Sequence, residues 1–176
     1  MNKFGLTKEL VLEIVQETAK RMKLLKEKFI DEYDVHMSNK NISEILSKVM
    51  EKVAADIMSR VLGYSVIKAK SDRESDLIFT QINRPLEIKV TSTDNAWTGG
   101  EFSQRPSDYL LVSWGENFNE FFVALAHLDK REWTSHFKQR FYGSSLTAKK
   151  LFNKSDKELF IGGFNERCTK LVRERI

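Results

Sequence analysis

In the stretch Leu86-Glu87-Ile88-Lys89-Val90-Thr91, apolar and polar residues alternate without a break. A period of two marks a β-strand, and it sends Leu86, Ile88 and Val90 to one face and Glu87, Lys89 and Thr91 to the other. A carboxylate and an ammonium therefore emerge side by side from a strand whose reverse is apolar. Just upstream, Asp76-Leu77-Ile78-Phe79 opens a second β-type run. The link Gln81-Ile82-Asn83-Arg84-Pro85 is short enough for a hairpin, and Pro85 suits the start of a strand at an edge. A tight turn on Asn83-Arg84 would pair Asp76 with Thr91, slightly beyond Lys89. A small register shift or bulge is then needed to bring Asp76 onto the Glu87 and Lys89 face.

Working outward, three further β-type runs are expected: Ser65 to Ala69 before the hairpin, and Tyr109 to Trp114 and Phe121 to Leu128 after it. Leu10, Ile14, Val15, Met22, Leu25 and Phe29 recur at helical spacing, so residues 7 to 30 read as an amphipathic helix. A second helix is expected to start at an Asn41-x-x-Glu44 capping box, carry Ile42, Leu46, Val49, Val53, Ile57 and Val61 on one face, and stop at Gly63. Asn95 to Ser107 looks like the longest unstructured connection. Trp133 to Phe141, Leu146 to Phe152 and the tail from Asn165 read as helical, and Leu159 to Ile161 as a last short strand. The expected fold class is α/β (α+β), a central mixed sheet of about five strands flanked by helices.

The chain has 176 residues, 41% of them hydrophobic, with twelve Phe and three Trp, enough for one packed domain over residues 1–176. No apolar run approaches the roughly 18 residues of a membrane span, and the N-terminus lacks the apolar core of a signal peptide. We therefore expect a cytoplasmic protein with no membrane partner. Cys168 is the single cysteine and the three histidines are scattered, which excludes an internal disulfide and a zinc finger. Net charge is +4, unevenly spread: residues 130–176 hold twelve Lys and Arg against five Asp and Glu, while residues 1–129 hold seventeen against twenty. The basic third suits an anionic partner or a solvated helical surface.

Hydrolysis of a phosphodiester requires charge neutralisation at the phosphate, a positioned water and stabilisation of the leaving oxygen. Two carboxylates and a lysine supply these needs, and hard oxygen ligands suit Mg²⁺. Asp76, Glu87 and the Ile88 carbonyl are the expected metal ligands, and Lys89 would orient the attacking water or stabilise charge at phosphorus. The plain alternative for Glu87 and Lys89 is a surface ion pair on a half-exposed sheet.

Asp76 followed by Glu87-x-Lys89, on strands that follow a long helix, resembles the PD-(D/E)xK nuclease superfamily, particularly type II restriction endonucleases. The resemblance spans roughly residues 41–128, which would be the catalytic core, with an N-terminal helix in 1–40 and a basic helical part in 129–176. Ser75 stands where the family name has Pro. The resemblance implies a restriction-endonuclease-like fold and a homodimer that cuts both strands of a short double-stranded DNA site, leaving 5′-phosphate and 3′-hydroxyl ends. It also implies a further acid on the preceding helix, for which Glu51 is the candidate, with Glu44 and Asp56 as rivals. A repair or recombination nuclease of resolvase type, and a non-catalytic nucleic-acid-binding protein, are the competing readings.

For DNA contacts, Asn95, Gln104 and Arg105 lie in the polar connection after the catalytic strand, and Arg and Gln suit the edges of guanine and adenine. Trp97 lies in the same connection. Lys149, Lys150 and Lys154, with Arg167, Lys170, Arg173 and Arg175, are the expected phosphate contacts. Trp97, Trp114 and Trp133 are expected in the core. His127, in an apolar strand, is expected to be a satisfied buried histidine.

Overall fold

Thr7 starts the first helix, its hydroxyl accepting from the Leu10 amide at 3.2 Å, and the apolar stripe Leu10, Val11, Ile14, Val15, Ala19 and Met22 buries one side of it. The structure, a computed structural model, describes residues 2–68, 75–99, 105–138 and 141–176. Helix α1 (Lys8–Lys26) widens into a π-helical turn, Glu27–Glu32, where the sequence suggests a continuous α-helix. Helix α2 (Asn39–Leu62) starts earlier than expected. Ser38 is the N-cap, and Asn41 occupies the return position of the box instead of opening it. The Asn41 amide oxygen accepts from the Ser38 backbone at 3.3 Å while the Ser38 hydroxyl accepts from the Asn41 backbone at 3.2 Å, which does the work a Glu does in the common version. Gly63, at φ +73°, ends the helix as expected.

Among the described residues seven strands make the central sheet, against about five expected. They are β1 (Val66–Lys68), β2 (Leu77–Phe79), β3 (Arg84–Thr91), β5 (Ser107–Trp114), β6 (Glu120–Leu128), β9 (Glu158–Ile161) and β12 (Glu174–Arg175). Their order is β1-β2-β3-β5-β6-β12, with β9 also on β6, and β3 and β5 run parallel among antiparallel neighbours, so the sheet is mixed as expected. Leu86, Ile88, Leu110 and Val112 bury one face in a core shared with Leu46, Met50, Val53 and Met58 of α2. Tyr109, Leu111, Phe122 and Ala124 bury the other face in a second core with Trp97, Trp133 and Leu146.

That second core is roofed by a three-stranded sheet the sequence analysis missed, β4 (Ala96–Gly99), β8 (Phe141–Thr147) and β7 (Thr134–Lys138) in the order β4-β8-β7. The supposed loop after β3 thus contains a strand, and within the supposed helix over Trp133 to Phe141 the described residues 134–138 and 141 are strand. Gly99 shows why pairing wins there: a Cβ would meet the Trp133 ring at 2.8 Å. Helix α3 is limited to Ala148–Phe152, capped by Thr147, while Leu146 belongs to β8. The tail is also extended, as β10 (Gly163–Phe164), β11 (Leu171–Val172) and β12. Its basic residues mimic helical spacing, but the Asn165 side chain accepts from the amides of Thr169 and Lys170 at 2.9 and 3.0 Å and turns the chain back on itself. All three tryptophans are buried as expected, and no described helix is long and apolar enough to cross a membrane.

Gly162 precedes β10 with φ +81°, and a Cβ there would stand 2.4 Å from the Val172 carbonyl oxygen. Gly162→Ala is expected to lower unfolding free energy by about 1–3 kcal/mol in urea titrations, the range for a strained backbone position. A helical tail would tolerate the change, so unaltered stability would contradict the strand assignment.

Candidate active site

The hairpin between β2 and β3 turns over Thr80 to Asn83, with Asn83 at φ +48° and Phe79 paired to Arg84. This is a correction to the turn expected on Asn83-Arg84. The ladder pairs Leu77 with Leu86, so Asp76 falls opposite Glu87 rather than Thr91 and no bulge is required. The Asp76 carboxylate oxygen Oδ2 accepts a hydrogen bond from the Ile88 backbone N–H at 2.7 Å, which pins it to the middle of β3. On the other side, parallel pairing sets Tyr109 beside Glu87 and Leu111 beside Lys89.

Glu87 is 2% exposed, its Oε2 lies 3.4 Å from the Lys89 Nζ, and its Oε1 has no hydrogen-bond partner among the described residues. Burial chiefly, and then the neighbouring Asp76 charge, push its carboxyl up from 4.5 to about 7, with Lys89 opposing the shift. Tyr109 is fully buried, and its hydroxyl is held above the ordinary range by burial first and then by the charges of Glu87 and Asp76. The site is thus a buried acid, Glu87, beside a half-buried one, Asp76, with Lys89 at its edge. A hard divalent cation fits it: it would satisfy the unpartnered Oε1 and the crowded negative charge together. Among the described residues, no group of three or more His, Cys, Asp or Glu side chains stands ready to hold a metal, so ligands beyond Asp76 and Glu87 would be carbonyl, water or substrate oxygens.

Of the three helix acids, Glu51 is the buried one, at 1% exposure, while Glu44 and Asp56 lie in solvent beside Lys40 and Lys52. Glu51 pairs with Lys48 at 2.9 Å and Lys68 at 3.1 Å rather than with Lys89. The alternation of β3 explains this: Leu86 and Ile88 face α2, so Glu87 and Lys89 point to the opposite side of the sheet.

Asn95 and Arg105 are exposed, with the Asn95 carbonyl accepting from the Ala148 amide at 2.7 Å, and Gln104 lies outside the described residues. Lys149 is exposed. Lys150 and Lys154, in contrast, turn inward: Lys150 donates to the Glu132 carbonyl at 3.0 Å, and Lys154 pairs with Glu132 and Asp156 at 3.1 and 3.2 Å. They brace the loop before β7. Lys170 pairs with Asp94, and Arg173 donates to the Ser113 hydroxyl and the Ser92 carbonyl at 2.9 and 2.8 Å, leaving Arg167 and Arg175 in solvent. His127 is half exposed rather than buried, its Nδ1 3.0 Å from buried Asp108, which also pairs with Lys3 at 2.8 Å. Tyr109 was missed because its place beside Glu87 depends on a parallel pairing between strands 22 positions apart.

In comparisons with known proteins, no family model matches the chain and no curated protein matches it.

Because the folded state raises the Glu87 carboxyl above its unfolded value, it binds the proton more tightly than the unfolded chain does. Stability in a chelating buffer should therefore fall as pH rises from 4.5 to about 7 and level off above. At 1.36 kcal/mol per unit the loss is on the order of 3 kcal/mol. Glu87→Gln should abolish this slope in denaturant titrations and raise stability at pH 8; a slope retained in the variant would refute the assignment.

Proposed function

We propose that the chain is a Mg²⁺-dependent DNA endonuclease of the PD-(D/E)xK kind, acting as a type II restriction enzyme. The observation that carries this reading is the hairpin register, which brings Asp76 against Glu87 with Lys89 next on the same face. An accidental surface pair would be solvated, whereas Glu87 is sunk and keeps an unpartnered oxygen.

In this reading Asp76, Glu87 and the Ile88 carbonyl would hold the ion, which when bound supplies positive charge against the scissile phosphate. Glu87 must give up its proton to serve, so activity at limiting Mg²⁺ should rise through about pH 7, and saturating Mg²⁺ should move that rise to lower pH. Lys89, held beside Glu87, donates hydrogen bonds toward the attacking water and the phosphate oxygens. Water adds to phosphorus, the P–O3′ bond breaks, and the departing oxygen leaves as a 3′-hydroxyl beside a 5′-phosphate. Of the described residues expected at DNA, Asn95, Arg105, Lys149, Arg167 and Arg175 are exposed and would meet the duplex. The proposal carries with it a cytoplasmic homodimer, since one such site cuts one strand.

Incubation with phage DNA and Mg²⁺ should give discrete fragments, and Asp76→Ala and Glu87→Ala should reduce cleavage to background while DNA retention in a filter assay persists, because phosphate contacts come from Lys and Arg. Ca²⁺ should support binding without turnover. Full activity in Glu87→Ala would remove the proposed active site. Nicking confined to branched DNA would favour a resolvase.

A further inference from the structure

Away from the carboxylates, two cavities meet where α1, the π-helical turn and the start of α2 close over the Glu116–Phe118 turn. One, of about 210 Å³, is walled by Met22, Leu25, Phe29, Met37 and Ile45. The other, of about 380 Å³, is polar and is lined by Arg173, Asn39, Ser92 and Asn117, with Glu116 also on its wall. Lys26, Ile42 and Phe118 line both, so the two spaces share a boundary. Their sizes suit a small organic ligand.

The shared wall is built at a cost. Asn117 and Phe118 are consecutive non-glycine residues at φ +55°, a conformation bulky side chains seldom adopt. The Phe118 ring is nonetheless buried and stacked on Trp114 at 5.0 Å, and the Lys26 ammonium donates to the Asn117 side chain at 2.9 Å. Backbone strain that the surroundings hold in place is a common mark of a ligand site. At the polar end, Arg173 is partly desolvated and held by Ser113 and Ser92, so its charge is fixed in position rather than free in solvent. An apolar space bordered by Lys26, beside a polar one lined by Lys26 and Arg173, is complementary to a molecule with one greasy and one anionic end.

We propose that these adjoining cavities together bind a small amphipathic anion, an alkyl or aryl chain ending in a carboxylate, with its apolar body between α1 and α2 and its charge between Lys26 and Arg173. A nucleic-acid phosphate would leave the apolar half unfilled, and a purely apolar guest would leave the polar half unfilled. The site is independent of the nuclease reading.

Decanoate, below its micellar concentration, is the probe, with decanol supplying the chain alone and acetate the charge alone. Calorimetry on the full chain should show one saturable decanoate site, decanol about tenfold weaker, as expected for loss of a charge-assisted hydrogen bond, and no acetate binding. Lys26→Gln, on a partly exposed side chain, should weaken decanoate about tenfold and leave decanol unchanged. Ile45→Trp, filling the apolar half, should abolish binding of both in a variant whose circular dichroism is unchanged. Equal affinity for decanoate and decanol, indifference to Lys26→Gln, or no binding would each overturn the proposal. So would a dimer in sedimentation that Ile45→Arg dissociates, which would assign the cavity to a second copy of the chain.

Discussion

Two carboxylates held against one another inside a β-sheet form an unfavourable arrangement on their own, and much of this molecule is organised around that one. Asp76 is half-buried and fixed by the Ile88 amide, and Glu87 is sunk beside it, so Glu87 cannot relax into water. The result is a Glu87 carboxyl pushed up to about 7. Buried like charges of this kind persist where the fold over-determines them and where another group, a proton or a cation, can compensate.

The over-determination comes from both faces of β3. Leu86 and Ile88 are locked into the core beneath α2, which fixes the strand's rotation and so commits Glu87 and Lys89 to the other side. There the parallel neighbour β5 supplies Tyr109 and Leu111, and the β4-β8-β7 layer closes over them with Trp97, Trp133 and Leu146. Lys150 and Lys154 contribute as braces of the loop leading into that layer. Positive charge that looks available for DNA in one dimension is partly spent on internal pairing in three, leaving Lys149, Arg105, Arg167 and Arg175 as the outward set.

The elements with strong periodicity were legible in the sequence: both long helices, the alternating β3, and the apolar runs of β5, β6 and β9. The residues of the acid pair were legible too, but not their register, because Gln81 to Pro85 offers more than one turn and the choice moves Asp76 by four positions along its partner. The roofing sheet was illegible for a different reason. Thr134–Lys138 and Phe141–Thr147 have mixed polar and aromatic patterns, and they become strands by pairing with each other and with Ala96–Gly99, a distant segment. The tail failed similarly, since its spaced Arg and Lys residues suggest a helix while Asn165 and Gly162 impose turns. Glu51, expected beside Lys89, instead pairs with Lys48 and Lys68, partners that were not foreseeable without the pairing of β1.

Glu87 is a buried acid crowded by Asp76, and the proposed function requires its negative charge to receive a cation. Its side-chain carboxyl carbon can be followed directly by carbon NMR across pH, using Glu87→Gln to assign the signal. In chelating buffer the titration midpoint should lie near 7, and Mg²⁺ should shift it downward because the ion competes with the proton for the same oxygens. A midpoint near 4.5, unmoved by Mg²⁺, would contradict the account.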